Sequence, residues 1–270
     1  MLTEERFAII LDTVNRKKSV HLNELCDLLE ISVSTARRDI NILAENGKLI
    51  KVHGGAIAID RNDNYLSKEK SVAEKVLLFP EEKTAIAKYA ASLIDDDDFV
   101  FIDAGTTTER MIDFITSKNV SFVTNSFNHA KRLTQKGFQV FIPGGEIRPD
   151  TEAIVGEECV LMLENYNFTK CFMGTNGISV SAGFTTQNIK EARVKTAAIN
   201  GSRKSYILAD HSKFDMISFV TFAHINEAGI ITDTLSAEKW SDSDPSAERQ
   251  SDKHLSAEEY SGYTTIKEVM

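Results

Sequence analysis

Residues 32–40 read SVSTARRDI, and the paired arginines Arg37 and Arg38 are the first side chains there with chemistry to offer. No carboxylate lies four residues away on either side, so the usual intrahelical ion pair is closed to both. At about 100° per residue, a helix here turns Ser34, Arg38 and Asn41 outward, with Thr35 and Ile42 beside them and Arg37 and Asp39 on opposite flanks. Serine, threonine and arginine on the outer face of a short helix suit the major groove of double-stranded DNA, where Arg38 can take guanine O6 and N7 together. Arg37, on the flank, is better aimed at a phosphate. Taken alone, the same face reads equally well as solvated surface.

A second set of residues suits a phosphorylated sugar. Asp103-Ala104-Gly105-Thr106-Thr107-Thr108 follows the apolar run FVFI and leads into a helix. Its small residues would present backbone N–H groups and three hydroxyls at a helix N-terminus, a place for phosphate, although the lysine of a P-loop is missing. The pattern recurs at Thr124-Asn125-Ser126, at Pro143-Gly144-Gly145 ahead of Glu146 and Arg148, and at Gly174-Thr175-Asn176-Gly177. Each loop alone is ordinary turn chemistry. Four at successive strand ends suggest a pocket, because ligands of open α/β sheets gather there. Lys213, directly after a strand, and Lys195 can supply charge, although Lys195 reads equally as a solvent-facing helix residue. Asp103, Asn125, Asn176 and Asp210 offer the mixed donors and acceptors that sugar hydroxyls need.

The elements that must carry these residues are legible in the patterning. Thr3 is a good N-cap with Arg6 three places on, and Phe7, Ile10, Leu11 and Val14 form one stripe. Leu22, Leu25, Leu28 and Leu29 mark a second helix; Val33, Ala36, Ile40 and Leu43 mark a third, capped by Ser32 and ended at Gly47. KLIKVHGGAIAI then reads as a hairpin turning at Gly54-Gly55, a wing on which Lys48, Lys51 and His53 could meet the DNA backbone. His53 beside two glycines reads equally as a turn residue. Residues 1–59 are thus expected to form a winged helix-turn-helix and residues 60–76 a linker. Over 77–270, FVFID, VSFVT, FQVFIP, KCFMG, SYILAD and EAGIITD alternate with helical stretches, which predicts an α/β domain with a mostly parallel sheet.

The chain is 270 residues long with a net charge of −9. Residues 1–55 hold eight basic and eight acidic side chains, so the acidity belongs to the larger part and the N-terminal module is free to show a basic face. No run of about 18 apolar residues could span a bilayer, and no leader pattern opens the chain; a cytoplasmic protein is expected. Cys26, Cys159 and Cys171 are odd in number and scattered, which fits core thiols and neither a disulfide framework nor a metal site. No cofactor motif is present.

Arg6, ISVSTARRDINILAENGKL and the following HGGA resemble the DeoR-type bacterial transcriptional regulators, and the likeness runs on to about Asp233. The resemblance implies a DNA-binding repressor whose C-terminal domain is similar in fold to ribose 5-phosphate isomerase. Isomerisation needs a base, and Asn176 stands where that isomerase family carries acidic residues. Asp103 and Glu191 remain as carboxylates outside any recognisable acid–base pair, so binding without catalysis is expected. TEAIVGEE, YNFTKCFMGTNGIS, GFTTQNIKEARVK and ILADHSKF look most like regulators of fructose operons, which implies fructose 1-phosphate as effector. One helix reads only a few base pairs, so a homodimer or tetramer is expected. Ser-Ala-Glu recurs at 236, 246 and 256, and residues 236–259 read as a disordered insertion before a last strand in TTIKEVM.

Overall fold

Three amphipathic helices close the core of the first unit. The structure, a computed structural model, describes residues 3–17, 19–29, 31–45, 48–52, 54–57, 64–66, 70–235 and 260–269. The chain divides into two compact units, residues 1–63 and 64–270. In the first, α1 (Thr3–Lys17), α2 (Leu22–Leu29) and α3 (Val33–Glu45) bury Ile10, Val14, Leu22, Leu25, Leu29, Ala36, Ile40 and Leu43. Leu28 and Val33, expected on those stripes, are instead exposed. Ser32 caps α3 as expected, its Oγ accepting from the Thr35 amide at 3.2 Å.

The wing is a sheet of three strands, not two. β1 (Ser19–His21), which the patterning did not announce, pairs antiparallel with β3 (Gly55–Ile57), and β3 pairs with β2 (Ile50–Val52), Lys51 lying opposite Ala56. Gly55 is required there: a Cβ would stand 2.1 Å from the Val20 carbonyl oxygen. Gly54 turns the hairpin at φ +91°, in the left-handed region.

The second unit opens with β4 (Asn64–Tyr65), the short helix α4 (Val72–Leu77) and α5 (Pro80–Ser92). Then follow β5 (Phe99–Ile102), α6 (Thr106–Phe114), β6 (Ser121–Thr124), α7 (Phe127–Gln135), β7 (Gln139–Phe141), the hairpin β8 (Glu146–Ile147) and β9 (Ile154–Val155), and α8 (Glu157–Glu164). β10 (Phe168–Gly174), β11 (Gly177–Ser179), β12 (Gly183–Thr186), α9 (Ile189–Asn200), β13 (Ser202–Leu208), β14 (Met216–Ile217), β15 (Val220–Ala223), β16 (Gly229–Thr232) and β17 (Ile266–Glu268) complete it.

Seven strands form one parallel sheet in the order β17-β16-β13-β10-β5-β6-β7. All six apolar runs and the TTIKEVM strand lie in it. Alternate residues supply two cores: Phe101, Cys171 and Met173 to one face, Val100, Ile102 and Phe172 to the other. The chain leaves β5 towards β6 and β7 on one side and returns at β10 on the other, so strand order reverses between β5 and β10. β11, β12 and β15 make a small antiparallel sheet beyond the carboxyl ends, absent from the sequence expectation.

Candidate functional site

On α3, Ser34, Arg37 and Arg38 are exposed and Thr35 and Asn41 are partly exposed. Asp39 is not on a flank in solvent. It is fully buried and takes the guanidinium of Arg6 two-pronged, Nε to Oδ2 at 2.7 Å and an Nη2 to Oδ1 at 3.1 Å. That pair fastens α1 to α3 and leaves the neighbouring arginines outward; among the described residues neither Arg37 nor Arg38 meets a carboxylate. Lys48 and Lys51 are exposed on the wing, whereas His53 and Gly47 lie outside the described residues.

In the second unit the predicted loops converge where strand order reverses, at the carboxyl ends of β5 and β10. Asp103 is 2% exposed and accepts from the Gly174 amide at 3.2 Å, stitching the two strand ends together. Lys195 is buried, not solvent-facing: its ammonium pairs with Asp103 and donates to the Gly174 carbonyl at 3.0 Å, because α9 packs its Ala192 and Val194 turn against the sheet. Burial raises the Asp103 carboxyl above its ordinary value, with Lys195 opposing. Asn125 accepts from the Ala104 amide at 2.8 Å and so fixes the loop before α6.

Only part of the threonine run faces outward. Thr106 is partly exposed, but Thr107 and Thr108 are buried, and the Thr108 hydroxyl donates to Asp103 O at 2.6 Å and Gly105 O at 2.9 Å. The first turn of a helix folds its third residue inward, so the expectation of three presented hydroxyls reduces to one. Gly105 precedes α6 with no side-chain cap, which leaves the first amides of that helix to other partners. Thr124 is buried and its hydroxyl accepts from the Ser126 amide. Asn176 accepts from the Thr186 hydroxyl at 3.1 Å. Gly144 and Gly145 are exposed in the turn into β8, and Arg148 pairs with Glu191 at 3.0 Å, a carboxylate that also accepts from Thr151 and Thr186.

A cavity of about 60 Å³ opens at the head of α6, lined by Gly105 and Thr106 together with Lys75, Ser126, Thr151 and His129. Beyond Lys75 stands a buried cation that the loop motifs did not contain. Lys83 is 4% exposed, donates to the Lys75 carbonyl, and has Asp210, Lys213, Arg110 and Lys75 close enough to bear on its charge. Burial pushes its ammonium down to about 8, Asp210 working against the fall and the three cations with it. Asp210 accepts from the Ser212 amide and hydroxyl; burial works to raise it, but Lys213, the Ser212 hydroxyl and Lys83 hold it below the usual carboxylate range. Lys213 reaches the Ser212 hydroxyl at 3.2 Å.

A signal for the missed residues existed. Lys83 shares its helical face with Ile86, Ala87 and Ala90, all buried, and His129 shares one with Leu133. A charged or polar residue on an apolar stripe is the informative case. Cys159 and Cys171 are buried, and burial pushes their thiols up to about 12 and about 11, which fits inert core positions; Cys26 is partly buried.

The model of the DeoR-like helix-turn-helix domain matches residues 6–62, and that of the DeoR C terminal sensor domain matches residues 79–234. An uncharacterized HTH-type transcriptional regulator, FruR, of Bacillus subtilis is 41% identical, the alignment covering 86% of this chain and 91% of the relative. The lactose phosphotransferase system repressor of Staphylococcus aureus is 36% identical, over 88% of this chain and 95% of its own. Among solved structures, ribose 5-phosphate isomerase A from Neisseria gonorrhoeae aligns with 51% of this chain and 54% of its own at 15% identity and a TM-score of 0.38. No helix among the described residues is long and apolar enough to cross a membrane. The two domain matches and the relatives that align over most of its length show that the chain belongs to the DeoR family of DNA-binding transcriptional regulators, which act by binding and not as enzymes.

Proposed function

We propose that the protein is a cytoplasmic repressor of a sugar-utilisation operon, released or retuned by a sugar phosphate bound in its second unit. Fructose 1-phosphate is the effector we favour. The observation that carries this reading is the cavity at the uncapped α6 head, lined by Gly105, Thr106 and Lys75, with the buried Lys83 ammonium on the Lys75 carbonyl. Backbone amides and several cations suit a dianionic phosphate. Asp103, Asn125, Asn176 and Asp210 nearby in the loops suit hydroxyls. The printed names of the relatives, a lactose phosphotransferase system repressor among them, agree with sugar-linked control. On the DNA side, Arg38, Ser34, Thr35 and Asn41 read bases while Arg37, Lys48 and Lys51 hold phosphates, and a homodimer or tetramer presents two or more such helices to an operator.

A thermal-shift screen of the full chain against phosphorylated and plain sugars tests the reading, since a ligand that binds only the folded state raises its stability by mass action. Fructose 1-phosphate is expected to raise the midpoint where fructose does not. If no phosphorylated sugar moves it, the effector reading fails.

A further inference from the structure

Helix α4 follows β4 near the start of the second unit, and its attachment there is unusual. None of its residues is buried, and Leu77 is 80% exposed. What holds it is polar. The Val72 amide donates to the Asp150 carbonyl at 3.4 Å, and the buried Lys83 ammonium donates to the Lys75 carbonyl. Upstream, the chain is pinned by β4 pairing with β14, by the Leu66 amide on the Ile217 carbonyl at 2.9 Å, and by Gln187 on the Leu66 carbonyl at 2.9 Å. Downstream it enters α5. Between those anchors α4 is a short helix docked by hydrogen bonds with no fully buried residue, Val72 and Lys75 being partly buried, the kind of element whose opening costs least.

It is docked on the cavity at the α6 head. Val72 and Lys75 of α4 line that cavity with Gly105, Thr106 and Ser126. An independent observation points to a ligand there: His129 lines the cavity, is 3% exposed, and its Nδ1 has no hydrogen-bond partner. An orphaned buried nitrogen costs free energy unless something supplies the missing bond. The volume suits a group of a few heavy atoms and not a whole sugar. Two carboxylates are also in the lining: Glu109 is held by Arg132 at 3.0 Å and Asn128 at 2.6 Å, and Glu152 is exposed at the rim.

We propose that α4 is itself part of the ligand site: Lys75 closes over the phosphate seated on the Gly105–Thr106 amides, so that occupancy clasps this helix at the start of the second unit. This rests on the sugar-phosphate reading above. Because α4 has no fully buried residue, one charge-assisted contact is a large share of what docks it. Ligand occupancy thereby changes how firmly α4 is held between the β4 anchor and α5.

Calorimetric titration of the full-length protein, with amide hydrogen exchange of residues 70–79, tests the clasp using fructose 1-phosphate and inorganic phosphate as probes. In the wild type, fructose 1-phosphate is expected to slow exchange across α4. Lys75→Gln is expected to weaken binding about tenfold or more and to abolish that protection, and Lys75→Arg to restore both. Protection by inorganic phosphate alone would support the clasp and identify the free anion as sufficient. Unaltered affinity in Lys75→Gln, or unchanged α4 exchange when the wild type binds, overturns the clasp and leaves the sugar-phosphate reading standing. Failure of the wild type to bind either probe removes both.

Discussion

Arg38 and Arg37 are adjacent in sequence and differ in what their directions allow. Arg38→Ala is expected to cost about 1–3 kcal/mol of operator binding and to relax preference at one base pair, whereas Arg37→Ala weakens binding to all sequences alike. Competition assays with single-base operator variants separate the two, and an unchanged preference in Arg38→Ala would refute its assignment. His129 supports a different measurement. Burial, helped by the nearby Arg132, pushes its imidazole from an ordinary 6.5 down to about 3, a hydrogen bond with the Gly105 backbone opposing. Between those values the unfolded chain binds a proton that the folded chain refuses, so stability falls as pH drops below about 6.5. At pH 5 the loss amounts to about 2 kcal/mol. Denaturant unfolding at pH 7 and pH 5 is expected to show that loss in the wild type and not in His129→Leu; equal losses in both would mean that another group carries the acid sensitivity.

At the scale of elements, close approach decides what the wing tolerates. Gly55 lies against the Val20 carbonyl of β1, so Gly55→Ala must push β1 away from β3 or distort the wing. A cost of about 1–3 kcal/mol in the stability of the N-terminal unit is expected, with weaker operator binding in step. Gly144→Ala is the control. Nothing lies within 4 Å of a Cβ built there, and its unfolding midpoint is expected to match the wild type. If the two variants unfold alike, the third strand is dispensable to the wing. The same closeness explains why β1 was illegible: three residues, Ser19–His21, between two helices carry no alternation of their own and become a strand only because β3 supplies partners.

For the whole molecule, the ligand and the DNA are linked through one chain, and linkage limits what each can do to the other. Lys213→Ala removes a cation from the group around Lys83 and Asp210. Operator binding titrated with fructose 1-phosphate is then expected to respond at higher ligand concentration while reaching the same plateau, because weaker binding alone does not alter the preference between states. Coincident curves for variant and wild type would place Lys213 outside the pocket. The residue patterns alone determined much of the order of elements, because periodicity is written locally: the third helix with Arg38 outward and Arg37 on its flank, the Gly54 turn, and six strands of the parallel sheet. They also announced which loops stand at strand ends, since an apolar run followed by Gly, Thr or Asn needs no partner to be read. Which polar groups meet was decided by tertiary structure. Asp39 looked like a flanking charge until Arg6, 33 residues earlier, folded onto it. Lys195 read equally as a pocket cation and a surface lysine until Asp103, 92 residues away, buried it as a pair. Lys75, Lys83 and His129 came to the α6 head only through helix packing, and such long-range meetings leave no trace in local spacing because the partners belong to different elements.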